Sequence, residues 1–257
     1  MTRIDFTKME GLGNDFVVFE GPLAFAAGEV ARLCDRRRGV GADGVLVVTD
    51  ADPVRMEYWN ADGSEAEMCG NGLRCVARFA LLRGMATGDA FDVVTPAGSR
   101  RVEMRDEAVR VELGPITFEG AVDFDDNRLQ LVTVGNPHAV IEVGDTKLAP
   151  VASLGPQIEQ DSRFPGGINV EFMTVKEGEV AIRVWERGVG ETQACGTGMA
   201  AAAAVAAESY GLEGRIPVET PGGWGEVEIV NGVAWLSGPA EVAFTGIWEI
   251  SAPASSH

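Results

Sequence analysis

Residues 69–72 read Cys-Gly-Asn-Gly, and residues 195–198 repeat this segment as Cys-Gly-Thr-Gly. The two cysteines stand 126 positions apart in a chain of 257 residues, which is close to half of its length. The flanking sequence repeats as well, since a tryptophan stands ten residues before each cysteine and a glutamate stands four residues before each. A repeat with this period predicts two similar halves that each present one cysteine in the same local setting.

Two segments have the pattern of principal helices, and each follows one of these cysteines. The first is predicted over about 72–83, where apolar residues recur at helical spacing before Gly84. The second is predicted over about 198–210, ending at Gly211, and its stretch 199–207 is apolar on every face, so strands should enclose it.

Most of the remaining chain consists of short β-type runs bounded by Gly, Pro and Asp turns. We therefore predict an α/β (α+β) fold of two pseudo-symmetric duplicated domains, each a mainly antiparallel sheet wrapped around a central helix. The expected boundaries are 1–118 for the N-terminal half and 119–245 for the C-terminal half. The tail 246–257 is a candidate to return to the first half.

The charge and the cysteine content exclude some classes of function. The 39 acidic and 21 basic residues give a net charge of −18, which repels nucleic acid and anionic membrane surfaces. The lysine-poor acidic composition fits either a high-salt cytoplasm or an ordinary acidic protein. The first residues lack the apolar core of a signal peptide, and four cysteines do not suggest a disulfide framework, so we expect a cytoplasmic protein with reduced thiols.

The predicted positions of Cys69 and Cys195 suggest acid–base chemistry. At a helix N-terminus, unpaired backbone N–H groups and the helix dipole favour the thiolate. Two thiols that face one small molecule cannot both ionise easily, because like charges repel, so the resting pair should be one thiolate and one thiol. A base and an acid on opposite faces of one carbon invert a stereocentre.

Three patterns that could indicate a cofactor or a metal stand in the wrong sequence context. Residues 39–44 match G-x-G-x-x-G, but they follow a charged run and precede a strand rather than a helix. Cys69 and Cys75 have the wrong spacing for a zinc pair. The three lysines stand in no recognisable setting for a pyridoxal phosphate Schiff base. We therefore predict no metal and no cofactor.

Five segments in order, covering essentially the whole chain, closely resemble the signatures of the diaminopimelate epimerase family. They are residues 8–16, residues 60–72, residues 135–138, Asn169 before Phe172, and residues 186–198. The resemblance implies a cofactor-independent isomerase that interconverts LL- and meso-2,6-diaminoheptanedioate on the route to lysine. It also implies two pseudo-symmetric domains with the substrate between them, and a homodimer would fit it.

The resemblance assigns roles by position. Cys69 and Cys195 would be the two acid/base thiols, and the backbone N–H groups at the two helix starts would hold the reacting carboxylate. Glu186 would accept a hydrogen bond from the substrate ammonium, and Arg187 would bind a carboxylate. The helix-start residues are Gly70, Asn71, Gly196 and Thr197, and the residues expected to hydrogen-bond mainly the distal end are Asn14, Asn60, Asn136 and Asn169.

Some positions stay open at this level. His138 either orients the site or satisfies a loop, and Cys34 and Cys75 are expected to pack rather than react. Gly44 stands where some family members carry glutamine, which puts any side-chain contact from that position in doubt.

Two other functions compete with the epimerase interpretation. A proline or hydroxyproline racemase of the same duplicated architecture also uses two cysteines, although such racemases typically differ at the Cys-Gly-Asn-Gly and Glu-Arg-Gly segments. A reversible disulfide between the two thiols would instead make the protein a redox switch or a binding protein.

Overall fold

Strands make up most of the chain in the computed structural model, which describes residues 2–66 and 68–250. The strands are, in chain order, β1 (Thr2–Gly11), β2 (Asn14–Gly21), β3 (Gly44–Thr49), β4 (Val54–Asn60), β5 (Ala90–Thr95), β6 (Gly98–Arg105), β7 (Ala108–Pro115), β8 (Thr117–Phe124), β9 (Asn127–Val134), β10 (Asn136–Glu142), β11 (Asn169–Lys176), β12 (Glu179–Glu186), β13 (Gly190–Thr192), β14 (Arg215–Thr220), β15 (Gly223–Val230), β16 (Val233–Gly238) and β17 (Glu241–Ile250). The helices are α1 (Glu29–Cys34), α2 (Gly70–Leu82), α3 (Val151–Glu159) and α4 (Gly196–Tyr210), with a 3-10 turn at Thr146–Leu148.

The chain divides into two compact units. Among the described residues, the first unit holds those up to Val109 and those from Pro239, and the second unit is Arg110–Gly238. The first unit gives way to the second after Val109, and the second ends at Gly238, so both divisions come slightly before the expected boundaries at 118 and 245. Of the tail 246–257, residues 246–250 belong to β17, which pairs antiparallel with β1. Residues 251–257 lie outside the described residues.

The two units use the same order of strand pairings. In the first unit, β1 pairs antiparallel with β2, β2 is parallel to β3, β3 is antiparallel to β4, β4 is parallel to β5, and β5 is antiparallel to β6. In the second unit, β9 through β12 followed by β14 and β15 repeat this alternation. The sequence prediction of a duplicated α/β fold built mostly of strands is confirmed.

A helix connects each parallel pair, because parallel neighbours need a crossover connection. The crossovers are α1 between β2 and β3, α2 between β4 and β5, α3 between β10 and β11, and α4 between β12 and β14. The second unit adds the short strand β13, which pairs with β12.

Helices α2 and α4 occupy corresponding places in the two units. Helix α2 packs against β1 to β4 with Leu73, Val76 and Ala80 fully buried. Helix α4 contacts strands β9 to β12 and β14 to β16, and every side chain from Met199 to Ala206 is buried, as its uniformly apolar sequence predicts. Its alanines let strands approach from several sides.

Both central helices begin two residues earlier than predicted, at Gly70 and Gly196. Each cysteine is therefore the N-cap residue of its helix. Helix α4 ends at Gly211, which adopts a left-handed conformation with φ 68°. Among the described residues, no helix is long and apolar enough to cross a membrane.

Candidate active site

Cys69 sits at the start of α2 with its sulfur turned back onto the helix. The backbone is extended at φ −139°, and Sγ accepts a hydrogen bond from the Gly72 N–H at 3.4 Å. Gly70 and Asn71 are the first residues of the helix, so their N–H groups lie in the turn where the positive end of the helix dipole is found. The first unit thus presents a half-buried thiol beside a helix N-terminus that favours anions.

Cys195 has the same local geometry at the start of α4. Its Sγ accepts from the Gly198 N–H at 3.4 Å and lies 3.4 Å from the Thr197 hydroxyl oxygen. The side chain is more enclosed than that of Cys69, at 7% exposure. Burial raises the pKa of the Cys195 thiol well above its ordinary value, and negative charge on Glu186 and Glu171 adds to the rise.

Asn14 contacts the Cys69 thiol in the first unit. The thiol donates to Asn14 Oδ1 at 3.5 Å, and Asn14 Nδ2 donates to Asp43 Oδ2 at 2.9 Å. Because a carboxylate only accepts hydrogen bonds, Asp43 fixes which end of the Asn14 amide faces the sulfur.

Asp43, the partner of Asn14, belongs to a network of charged side chains. Lys8, which is buried, pairs with Asp15 at 2.7 Å and also donates to the Gly41 carbonyl. Arg36 binds Asp15 through two nitrogens at 3.0 and 2.7 Å and reaches Asp43 at 2.7 Å. Burial by itself raises the pKa of Asp15, but hydrogen bonds from Arg36 and Lys8 bring it down to about 2.

Asp15→Asn is expected to lower the free energy of unfolding at pH 7 by about 3 kcal/mol, because it leaves Lys8 buried without its carboxylate. The folded-state pKa of about 2 lies below the ordinary 3.8, so the ionised carboxylate contributes about 2 kcal/mol above pH 4. That contribution is lost as the pH falls from 4 towards 2. Urea unfolding between pH 7 and pH 2 should therefore show the difference between variant and wild type shrinking with acid.

The matched control for this prediction is Asp92→Asn, which breaks an exposed pair with Arg101 at 3.4 Å. It should cost less than about 1 kcal/mol at any of these pH values. Equal effects of the two substitutions would contradict the role of the Lys8–Asp15 pair.

Glu186, at the end of β12, lies beside Cys195 in the second unit. It accepts a hydrogen bond from the Thr192 hydroxyl, and its carboxyl also interacts with the Cys195 thiol. Burial raises the pKa of Glu186, while the bond from Thr192 opposes the rise. A carboxyl with this setting can accept from an ammonium group or exchange a proton with the thiol.

His138 is fully buried and lies between two side chains. Its Nδ1 is 2.7 Å from Glu171 Oε1, and its Nε2 is 2.9 Å from Asn136 Oδ1. Both ring nitrogens are therefore within hydrogen-bond distance of a polar side chain. His138 links Asn136 to Glu171 through these two contacts.

Asn169 and Arg187 are joined at the neighbouring strand ends. Asn169 Nδ2 donates to the Pro137 carbonyl at 2.9 Å, and its Oδ1 accepts from the Arg187 N–H at 3.0 Å. The Arg187 side chain is exposed and donates to the Gly166 carbonyl at 3.2 Å. The guanidinium is thus held at the surface, where a carboxylate can reach it.

A model of the family described as diaminopimelate epimerase matches residues 6–119 and 130–242 of this chain. The chain belongs to the diaminopimelate epimerase family. A diaminopimelate epimerase from Halorhodospira halophila is 41% identical, covering 98% of this chain and 96% of its own. One from Thioalkalivibrio sulfidiphilus is 42% identical, covering 96% of this chain and all of its own.

Solved structures of other proteins share the fold at low identity. A PhzF-family phenazine biosynthesis protein from Bacillus anthracis matches with a TM-score of 0.78 and 14% identity, covering 97% of this chain and all of its own. A probable proline racemase from Agrobacterium radiobacter matches with a TM-score of 0.72 and 19% identity, covering 96% of this chain and 93% of its own. Both show the same duplicated architecture, and at these identities they bear on the fold alone.

Within this epimerase-family chain, the predicted residues of the second unit lie in one connected set. Asn136 contacts His138, and Asn169 binds both the Pro137 carbonyl and the Arg187 N–H. Glu186 adjoins Cys195, which is followed by Gly196 and contacts Thr197. In the first unit, Asn14 contacts Cys69. Asn60 instead closes the turn after β4, donating to the Ser64 hydroxyl at 3.0 Å.

Gly44 begins β3 where some family members carry glutamine. A Cβ placed on it would lie 2.6 Å from the Trp59 carbonyl oxygen and 2.6 Å from the Tyr58 ring. The backbone here has no room for a side chain, so this position makes no side-chain contact with a substrate.

Sequence reasoning missed Asp43, which binds Asn14, and Glu171, which contacts His138, as well as the buried Arg74 of α2. Glu171 and Arg74 did leave a signal, because each is a charged residue at an inward position of an apolar element. Cys34 and Cys75 are buried, and burial raises the pKa of their thiols to about 11 and about 12, which suits packing. Among residues 2–66 and 68–250, no group of three or more His, Cys, Asp or Glu could hold a metal ion.

Proposed function

We propose that this chain interconverts LL- and meso-2,6-diaminoheptanedioate by moving the α-proton between two thiols, Cys69 and Cys195. The observation that carries the proposal is the repeated geometry, in which each unit places one sulfur at the N-terminus of its central helix. The 41–42% identical relatives, each named diaminopimelate epimerase, support the choice of substrate.

The chemistry follows from what a two-base inversion requires. One sulfur, as thiolate, removes the α-proton, and the other, as thiol, delivers a proton to the opposite face. The negative charge that develops spreads onto the reacting carboxylate, which helix-start N–H groups can hold and stabilise. Those groups belong to Gly70, Asn71, Gly196 and Thr197.

The remaining side chains are proposed to select a substrate with two amino-acid ends. Glu186 is suited to accept from the substrate ammonium, and Arg187 to bind a carboxylate. The amide nitrogens of Asn14 and Asn169 each carry a second N–H beyond the bonds described, so both are suited to donate to a carboxylate oxygen. Asn60 and Asn136 are proposed to complete the contacts at the distal end.

The proposal also concerns the compartment, the cofactor requirement and the assembly of the enzyme. The mechanism needs both thiols reduced, which a cytoplasmic location would ensure. It needs no cofactor, since proton transfer between protein groups suffices. A homodimer is the expected assembly, and size-exclusion chromatography with light scattering would test it.

The function is tested by following α-proton exchange in D2O by NMR, with reductant present and no cofactor added. LL-diaminopimelate and L-proline are supplied in parallel to the same folded protein, at low and at molar salt. We expect deuterium to enter diaminopimelate as the meso isomer forms, and none to enter proline. Exchange in proline alone would support a racemase, and exchange in neither by folded protein would favour the redox or binding alternative.

A further inference from the structure

The surroundings of Cys69 in the first unit and of Cys195 in the second, here called the two half-sites, differ in the residues that lie under the start of the helix. Gly72 and Gly198 are each the third residue after their cysteine, and both face the third residue of a parallel strand. A Cβ on Gly72 would lie 3.4 Å from Leu46, whereas a Cβ on Gly198 would lie 2.6 Å from Glu171 Oε1. An apolar side chain in the first unit thus corresponds to a carboxylate in the second.

A second difference comes five residues after each cysteine, where α2 carries Arg74 and α4 carries Ala200. Arg74 is fully buried, and its Nε donates to the Pro239 carbonyl at 3.0 Å. Its Nη1 and Nη2 have no hydrogen-bond acceptor among the described residues. Gly11 leaves room for the guanidinium, since a Cβ there would lie 3.0 Å from Nη2.

The charge of Arg74 is unusual because no carboxylate of the described residues forms an ion pair with it. Among the described residues of the first unit, the other buried charged side chains are Lys8, paired with Asp15, and Glu29, paired with Arg32. Burial lowers the pKa of Arg74, and negative charge at Cys75, Cys69 and Glu10 opposes that change. By reciprocity, a buried guanidinium stabilises the Cys69 thiolate.

The second unit has the opposite charge near its thiol. Glu171 is fully buried, one of its oxygens is bound by His138, and Oε2 has no hydrogen-bond partner among the described residues. Glu186 lies beside the same sulfur. The carboxyls of Glu186 and Glu171 therefore both act on Cys195. Because Glu171 lies under the start of α4, its negative charge already occupies the positive end of that helix dipole.

We propose that Arg74 and Glu171 are positioning residues that make the half-sites electrostatically unequal, so that Cys69 is the thiolate and Cys195 the thiol in the substrate-free enzyme. The inference rests on the proposed two-thiol function and adds which sulfur acts as the resting base. A substrate isomer whose α-proton faces Cys69 then reacts directly. The other isomer reacts only after the two sulfurs exchange protonation states.

The other groups around Cys69 do not reverse this order. Lys8, Arg36, Asp15 and Asp43 form a network of two cations and two carboxylates, so their charges cancel. Glu10 lies on β1, where it accepts from the Gly13 N–H at the surface. Asn14 favours the neutral thiol, because Asn14 Oδ1 accepts a weak hydrogen bond from it at 3.5 Å. A full charge buried in low dielectric acts more strongly than this bond.

The test is the pH dependence of alkylation of each cysteine in the whole wild-type protein. Iodoacetamide is applied from pH 5 to pH 10, and each modified peptide is quantified by mass spectrometry. The midpoint of each profile reports ionisation, whereas the plateau rate reports access. We expect the Cys69 midpoint at least one pH unit below that of Cys195, with Cys34 and Cys75 unmodified below pH 9 as internal references.

Variants separate charge from structure. Arg74→Met should raise the Cys69 midpoint by about one pH unit without moving that of Cys195, and Arg74→Lys should restore it. Glu171→Gln should lower the Cys195 midpoint. A wild-type midpoint for Cys195 below that of Cys69 overturns the inference even if Arg74→Met does not fold. If such a protein still epimerises diaminopimelate, the proposed function stands and only the assignment of the resting thiolate fails.

Discussion

Replacing Cys69 with alanine is expected to slow the interconversion of LL- and meso-diaminopimelate by at least about 10³-fold. The variant should retain a folded helix start, since the bond that the N-cap sulfur accepts from the Gly72 N–H is weak at 3.4 Å. It lacks the proposed resting base, and no other thiol of the first unit can replace it. Cys34 and Cys75 are buried with pKa values of about 11 and about 12.

The matched control is Cys75→Ala, which removes a thiol from the same helix. It should retain activity within about threefold and lose about 1 kcal/mol of stability from the buried side chain. The activity is measured by NMR or by chiral chromatography. If Cys69→Ala retained activity within tenfold of wild type, Cys69 would have no part in the mechanism.

Cys195→Ala makes the prediction more specific. With Cys69 intact, the enzyme can still take a proton from one face and return a solvent deuteron to it, so exchange without inversion should persist in one stereoisomer. Cys69→Ala should show the complementary preference, because Cys195 serves the opposite face. Exchange of both isomers by either single variant would contradict the assignment of one thiol to each face.

The sequence predicted the parts of this fold that depend on repetition and periodicity. The spacing of Cys69 and Cys195 predicted the duplication, and the apolar pattern after each cysteine predicted a central helix whose start was misplaced by two residues. The apolar stretch from Met199 predicted that α4 would be enclosed. These features are local or repeated, so the chain itself displays them.

The supporting residues could not be assigned in this way. Asp43 binds Asn14, which contacts Cys69, and this bond depends on the parallel pairing of β2 with β3. Glu171 stands in the strand Asn169–Lys176, where its inward direction is visible but its partner His138 is not. A side chain's partner across a sheet depends on topology, and a single sequence does not display topology.

The second large effect is expected from alanine at the two corresponding glycines. Gly198→Ala should lower the free energy of unfolding by about 2 kcal/mol, because its Cβ would lie 2.6 Å from Glu171 Oε1. That oxygen cannot move without breaking its 2.7 Å bond to His138. Displacement of Glu171 and His138 should also disturb Asn136 and reduce epimerisation.

Gly72→Ala is the matched control, with the same position in its helix and the same N–H bond to a cysteine sulfur. Its Cβ would meet Leu46 at 3.4 Å, an ordinary contact. Alanine is also preferred over glycine in helices by up to about 1 kcal/mol, so this variant should be neutral or slightly more stable. Urea unfolding of both variants measures the difference directly, and equal costs would contradict the asymmetry between Leu46 and Glu171.

A double-mutant cycle identifies the cause of the loss. Glu171→Leu gives the second unit the residue that Leu46 provides in the first, at the cost of leaving His138 without its carboxylate. If the clash with Glu171 is what makes Gly198→Ala costly, the alanine should cost about 1 kcal/mol or less in the Glu171→Leu background. An undiminished cost there would place the clash elsewhere. Because the glycines occupy equivalent positions, the cycle attributes the difference to one side chain, Glu171, which the structure places beneath one thiol and not the other.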